Sequence, residues 1–215
     1  MDGRDSREWF VPLTGILFIV LLFVSFIVTG EPKDATHSPT EIAQWYSDNK
    51  DSAEIGAFIS VLAALVLIFF GAYLKKVLEA AGGGSMLPTL VLIGVTIVGI
   101  SAAIDNMLVF VAAERVDDIP ASGIQTIQAI FDNDFLPFLL GIMVFLWSVG
   151  LSVLQTGALP KWMGWLAVVL AVISLLGPIG FAAVIGAAVW VLLASIILTL
   201  QARRAGPAPA QPAAT

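Results

Sequence analysis

Residues 87–113 read LPTLVLIGVTIVGISAAIDNMLVFVAA, and Asp105 is the one ionisable side chain among them. The stretch exceeds the ~20 predominantly apolar residues that a helix needs to cross a hydrocarbon core of ~30 Å. Inside such a core each backbone amide must be satisfied within the segment, so the stretch predicts a membrane helix. Pro88 falls in its first turn, where no helical hydrogen bond is lost. Five further stretches carry the same signature: residues 9–30, 53–74, 135–155, 162–176 and 181–200. Gly177-Pro178-Ile179-Gly180 divides the last two, because the run from 162 to 200 is far longer than one crossing requires. The expected fold is all-α, a six-helix transmembrane bundle over residues 9–201. A short N-terminus at 1–8 precedes it, and a Pro/Ala-rich, disordered tail at 202–215 follows.

Composition agrees with this reading. The chain is 59% hydrophobic and 12% charged, against roughly 45–50% and about 25% in soluble domains. Too few charges remain to cover a soluble surface, so one membrane domain is expected and no soluble one. The first apolar run is too long for the 7–15-residue core of a signal peptide and has no small-x-small cleavage signature, so it is read as a retained anchor.

The basic residues are sorted. With the N-terminus in the cytoplasm, Arg4, Arg7, Lys75, Lys76, Lys161, Arg203 and Arg204 fall inside, while Lys33, Lys50 and Arg115 fall outside. That bias is the direction of the positive-inside rule and places both termini in the cytoplasm. Of the 16 acids, only Asp2, Asp5, Glu8 and Glu79 lie inside. The outer face is therefore acidic and repels nucleic acid. The chain has no cysteine and one histidine, His37, which excludes disulfides, thiolate sites and multi-histidine metal chemistry. No phosphate loop or dinucleotide fingerprint is present, and neither a cofactor nor a metal is expected.

Two polar segments lie outside. In the first, Ser38-Pro39-Thr40-Glu41 reads as a capping box, and Ile42, Trp45 and Tyr46 form one apolar stripe. In the second, Ser122-x-x-Gln125 is a further candidate box, with a stripe of Ile124, Ile127 and Phe131. Two short amphipathic extracytoplasmic helices are expected, packed on the bundle mouth. Both segments place Gln six residues after the Ser (Gln44, Gln128) and Asp-Asn ten residues after it (Asp48-Asn49, Asp132-Asn133). This spacing raises an internal repeat, although the flanking spans do not match at that offset.

Asp105 and Asn106 are the sharpest functional candidates. A carboxylate at the centre of a membrane helix costs ~2.5–3.5 kcal/mol, so it must face water, a partner or the bundle interior. Glu54, Asp132 and Asp134 stand near the outer ends of neighbouring spans. Together they suggest a polar vestibule for a proton, a cation or a small polar ligand. The alternative is that Asp105, about two turns below the boundary, reaches water or a neighbouring helix directly. The expected neighbour is Asn106 or a side chain of an outer segment. Ser148, Ser152 and Gln155 share a face of the fourth span and are read as packing residues. No His or Lys base lies near them, so no catalytic residue is expected. Ala167 and Ala171, and Ala182 and Gly186, are small residues that permit close helix approach, while Trp147 and Trp190 lie mid-span and are read as packed inside.

The segment Ser38-Pro39-Thr40-Glu41-Ile42-Ala43-Gln44-Trp45-Tyr46-Ser47-Asp48-Asn49, the segment Leu159-Pro160-Lys161-Trp162-Met163-Gly164-Trp165-Leu166 and the six-span layout together resemble a broad family of bacterial multi-pass integral membrane proteins classed among domains of unknown function. The resemblance covers most of residues 9–201. It implies a bacterial plasma-membrane location and carries no activity or functional residue onto these positions.

The expected function is non-enzymatic binding or sensing of a lipid, a small ligand or a membrane partner, including a second copy of the chain. A small transporter or channel subunit with Asp105 as coupling group is the alternative, and a membrane enzyme comes third. A transporter would show broken helices or several buried charges, and an enzyme would need convergent acid, base or nucleophile groups.

Overall fold

A computed structural model describes residues 10–176 and 181–204, and the described residues form eight helices without a strand. These are α1 (Leu13–Thr29), α2 (Pro39–Asp48), α3 (Lys50–Ala80), α4 (Met86–Glu114), α5 (Ala121–Phe131), α6 (Phe135–Thr156), α7 (Lys161–Ile173) and α8 (Phe181–Arg204). Four stretches are long and apolar enough to cross a membrane: Lys50–Ala80, Met86–Glu114, Ala121–Thr156 and Ala182–Arg204. Leu13–Thr29 and Lys161–Ile173 are apolar but shorter. The segment Gly177-Pro178-Ile179-Gly180, the N-terminus at 1–8 and the tail from 205 onward lie outside the described residues.

Local chemistry explains the helix ends. Pro12 is the N-cap of α1, so that helix starts at Leu13, later than the apolar run suggests. Gly30, with φ 73°, ends it in a backbone region that glycine alone adopts cheaply. The capping box at Ser38 is formed: the Ser38 hydroxyl accepts from the Glu41 amide, and the Glu41 carboxylate accepts from the Ser38 amide. The Ser38 hydroxyl, which donates to Glu41 Oε2 at 2.7 Å, and then the Ser38 amide hold the Glu41 carboxyl below its ordinary range. The second expected box is not formed. The N-cap of α5 is Pro120, and Gln125 reaches across to the Ala35 and His37 carbonyls instead. Helix α3 runs well beyond residues 53–74, to about 46 Å at 1.5 Å per residue.

The long helices alternate in direction. Thr29 at the end of α1 meets Gly56 near the start of α3, while Gly15 meets Phe70 farther along it. Helix α3 packs between α1 and α4, α4 between α3 and α6, and α8 joins α6 and α7 to α1. One core of α3, α4, α6, α7 and α8 side chains fills the bundle, with Trp190 fully buried and its Nε1 donating to the Met163 carbonyl at 2.9 Å. Trp147 packs against this core, and Ser148 bonds back to its own helix at Val144 and Phe145.

Three contacts are tight enough to need small residues. A Cβ on Gly94 would lie 2.5 Å from the Phe145 amide nitrogen, and one on Gly141 would lie 2.7 Å from that of Val98. Backbone therefore touches backbone along α4 and α6. Gly150 and Gly164 do the same for α6 and α7. Between α8 and α1, the Ser195 hydroxyl accepts from the Ile16 amide at 3.1 Å and donates to the Pro12 carbonyl, entering the first turn of α1 beside Gly15. Ala167 and Ala171 are fully buried, and Gly186 seats Leu170.

Gly141→Ala is expected to destabilise the bundle by about 1–3 kcal/mol, because the obstructing atoms are backbone and cannot turn aside. Leu140→Ala, at a neighbouring position 53% exposed, should be close to neutral. Thermal unfolding of the purified protein in detergent checks both.

Candidate functional site

The α4–α6 seam sets the geometry of the half of the bundle that α2 and α5 cover. Where Gly141 meets Val98 the two antiparallel helices are in register. One heptad outward on each helix are Asp105 and Asp134, and their carboxyl groups stand within hydrogen-bond reach of each other. Asp134 is the N-cap residue of α6 and makes no capping bond. Its Oδ2 is buried and has no donor. Of the two neighbours expected for Asp105, the outer-segment side chain is the one it meets. Asn106 turns to α3, where its Nδ2 donates to Ser60 Oγ and to its own Ala102 carbonyl, both at 2.8 Å.

Glu54 does not join them. It faces Glu114, the last residue of α4. Glu54 Oε1 is also buried without a donor, and Lys50 Nζ lies 3.6 Å from Glu114 Oε2. Nine positions separate Glu114 from Asp105, about 13 Å of helix rise. Helix α4 thus meets a carboxyl from α3 at its tip and another from the start of α6 deeper in.

Asp132 belongs to a third group, the cap. Its Oδ2 accepts from the Ala35 amide and its Oδ1 from Gln128 Nε2, each at 2.8 Å. Gln128 Oε1 in turn accepts from the Tyr46 hydroxyl at 2.7 Å. Tyr46 and Gln128 are each only 1% exposed. Burial first, and the negative charge of Asp132 second, push the Tyr46 phenol above its ordinary range. This chain ties α2, α5 and the segment after α1 into one unit. Around it Ile42, Tyr46, Ala53, Val109, Ala112, Ala113 and Ile124 form a second apolar cluster over the outer ends of α3 and α4. The five candidate residues therefore divide among two carboxyl pairs, a cap and an α3 contact rather than lining one vestibule.

The sequence reading placed Tyr46 in an apolar stripe and Gln125 in a capping box, and gave the buried Gln128 no role beyond the recurring spacing. The signal was the recurring Gln and Asp-Asn spacing. Gln44 Nε2 donates to Asp48 Oδ1 at 2.6 Å as Gln128 does to Asp132, and Asn49 and Asn133 both bond the carbonyl four residues back. The same order of long, short and long helix precedes and follows both sites. What distinguishes Gln128 is burial, which periodicity alone does not reveal.

Beneath the carboxyl pair is an apolar cavity of about 60 Å³, walled by α1, α3, α4, α6 and α8. Phe138 in its wall lies one turn below Asp134 on α6, and Val98 two turns below Asp105 on α4. A drug-sized ligand needs roughly 300–1,000 Å³, so the cavity holds no whole small molecule. No family model, curated protein or solved structure matches the chain.

Tyr46→Phe leaves the buried Gln128 oxygen without its donor and is expected to cost about 1–3 kcal/mol. Adding Gln128→Met should recover part of that loss, since both polar partners are then gone. A double-mutant cycle in thermal or chemical unfolding reads the coupling.

Proposed function

We propose that the chain is a six-span, non-enzymatic protein of the bacterial cell membrane, with both termini cytoplasmic, that senses protons at its outer end through Asp105 and Asp134. The bacterial location rests on the family resemblance. The six crossings rest on α1 and α7 lying antiparallel to long apolar neighbours, and the orientation on the sorted basic residues. In this reading α2 and α5 are amphipathic helices outside the membrane, in contact with lipid headgroups or a membrane partner.

The observation that carries the sensing is the direct opposition of two carboxyl groups with no donor on Asp134 Oδ2. Two carboxylates in contact repel, whereas one proton between them makes a strong charge-assisted hydrogen bond. In this reading a proton shared by the pair keeps the seam closed. Asp134 follows the cap residue Asp132 by two positions, so release of the start of α6 from α4 moves the cap with it. A transporter is less well supported. Below the pair the α4–α6 seam is closed by backbone contact at Gly94 and Gly141, and neither helix carries another ionisable residue between Met86 and Ile104 or between Phe135 and Thr156.

Because the chain lacks cysteine, single thiols report cleanly. Asp118→Cys is expected to react with an impermeant maleimide in intact cells, and Gly83→Cys only after lysis; the reverse pattern would invert the orientation. Spin labels at Phe110 and Leu136, which are 42% and 64% exposed, follow the seam. Their separation should lengthen as outer pH rises and stay short at every pH in Asp134→Asn, whose amide donates to Asp105. A separation independent of pH in the unsubstituted seam would overturn the sensing role.

A further inference from the structure

We infer that the cavity bordered by α1 and α8 is a lipid site, which takes one straight acyl chain of a phospholipid from the leaflet on the side of α2 and α5. The inference goes beyond the proton reading and does not depend on it. It needs only that the four long apolar stretches lie in a bilayer, because α3, α4, α6 and α8 supply most of the wall.

The fold makes this opening. Helices α1 and α8 are pinned to each other where the Ser195 hydroxyl enters the first turn of α1. From that point they follow different neighbours. Helix α1 keeps to α3 as far as the contact of Thr29 with Gly56. Helix α8 is drawn to α6 and α7, because the Trp190 ring meets that of Phe145 at 5.6 Å and donates to the Met163 carbonyl. Between them remains the cavity of about 60 Å³, with Phe18 and Leu22 on the α1 side and Val184, Ala187, Ala188 and Val191 on the α8 side. The two alanines keep the α8 wall shallow.

The surrounding medium names the occupant. Every lining side chain is Phe, Leu, Val, Ile or Ala, whereas a buried water needs two to four polar partners. Phe18, Leu22, Val184 and Ala188 are half-exposed, and the exposed Val20, Ile185 and Val189 carry the same apolar surface outward. The cavity is therefore continuous with the surface that meets hydrocarbon. A void beside liquid hydrocarbon forfeits the dispersion contacts of its walls. A chain that enters recovers them without any dehydration and loses only its own freedom.

Size and depth narrow the ligand. An apolar cavity of ~150 Å³ takes benzene, so one of about 60 Å³ is too small for a ring. At ~10–15 Å³ for each water-sized group, it seats about four methylenes in a row. Along α6 the lining runs from Phe138 to Phe145, about 5–15 Å from the start of that helix. That depth falls within one half of a hydrocarbon core of ~30 Å, level with the middle of a chain. No charged side chain lines the cavity, so the site selects the chain and not the headgroup.

The test is photolabelling of the full chain in phosphatidylcholine nanodiscs that contain a small fraction of phosphatidylcholine with a mid-chain diazirine. Labelled residues are mapped by mass spectrometry. Leu67, Ala187 and Val191 line the cavity and are 4%, 3% and 3% exposed, so lipid that merely surrounds the protein does not reach them. They are expected to be labelled alongside the exposed Val20 and Ile185, while the equally buried Val149 and Val153 stay at background. Ala188→Phe fills the cavity and Val184→Phe narrows its mouth. Each should lower labelling of Ala187, Val191 and Leu67 by about tenfold, with Ile185 labelled as before and the thermal unfolding midpoint retained. A diazirine-bearing sterol should label the exposed residues only. Wall residues labelled no more than Val149 would overturn the lipid site, as would wall labelling unchanged in both filled variants. Equal wall labelling by the sterol would overturn the straight-chain assignment.

Discussion

The contact of α4 with α6 at Gly94 and Gly141 is the constraint on which the half of the molecule beneath α2 and α5 depends. In lipid there is no hydrophobic force to draw two apolar helices together, so association rests on dispersion and on weak Cα–H···O contacts. Both fall off steeply with distance and therefore favour backbones that touch. Only positions without a Cβ allow that here. Once the helices touch, a heptad of antiparallel register brings two short carboxylic side chains face to face. Aspartate is too short to bridge a wider gap, so the pairing of Asp105 with Asp134 follows from the glycines below it.

The cap obeys a different constraint. Its apolar cluster is small, and a polar chain runs through it from Tyr46 by way of Gln128 and Asp132 to the Ala35 amide. A buried chain of this kind rigidifies when complete and is costly when broken, because each lost partner leaves a desolvated group behind. The cap is thus a unit that shifts whole, and one of its covalent links to the bundle is the short stretch from Asp132 to the start of α6.

Much of this was legible in the residues. The apolar runs coincide with helices, and the Ser38–Glu41 box closes as its spacing requires. Helix limits were less legible, since an apolar window finds hydrocarbon-facing residues and not helix ends. Helix α3 continues through Lys75, Lys76 and Glu79 because these are good helix formers, and Lys75 pairs with Glu79 at 3.0 Å one turn on. Ser122 misled because Pro120, with its fixed φ, starts α5 two residues earlier. The partner of Asp105 was hidden for a deeper reason. Which carboxyl it meets depends on the register between two helices, and the glycine contacts that set this register are tertiary.

The Ser195 hydroxyl lodged in the first turn of α1 joins the first and the last of the described helices. Helix α1 leaves the ribosome before α8. Until α8 arrives, the Ile16 amide lacks the hydroxyl that fixes that turn, and α1 is held chiefly by α3. In the two-stage view of membrane folding, stable helices form first and dock afterwards. Here a helix made before α8 is locked only once α8 docks, so a chain cut short before Ser195 would leave α1 unfastened, a state that quality-control proteases can distinguish from the finished protein.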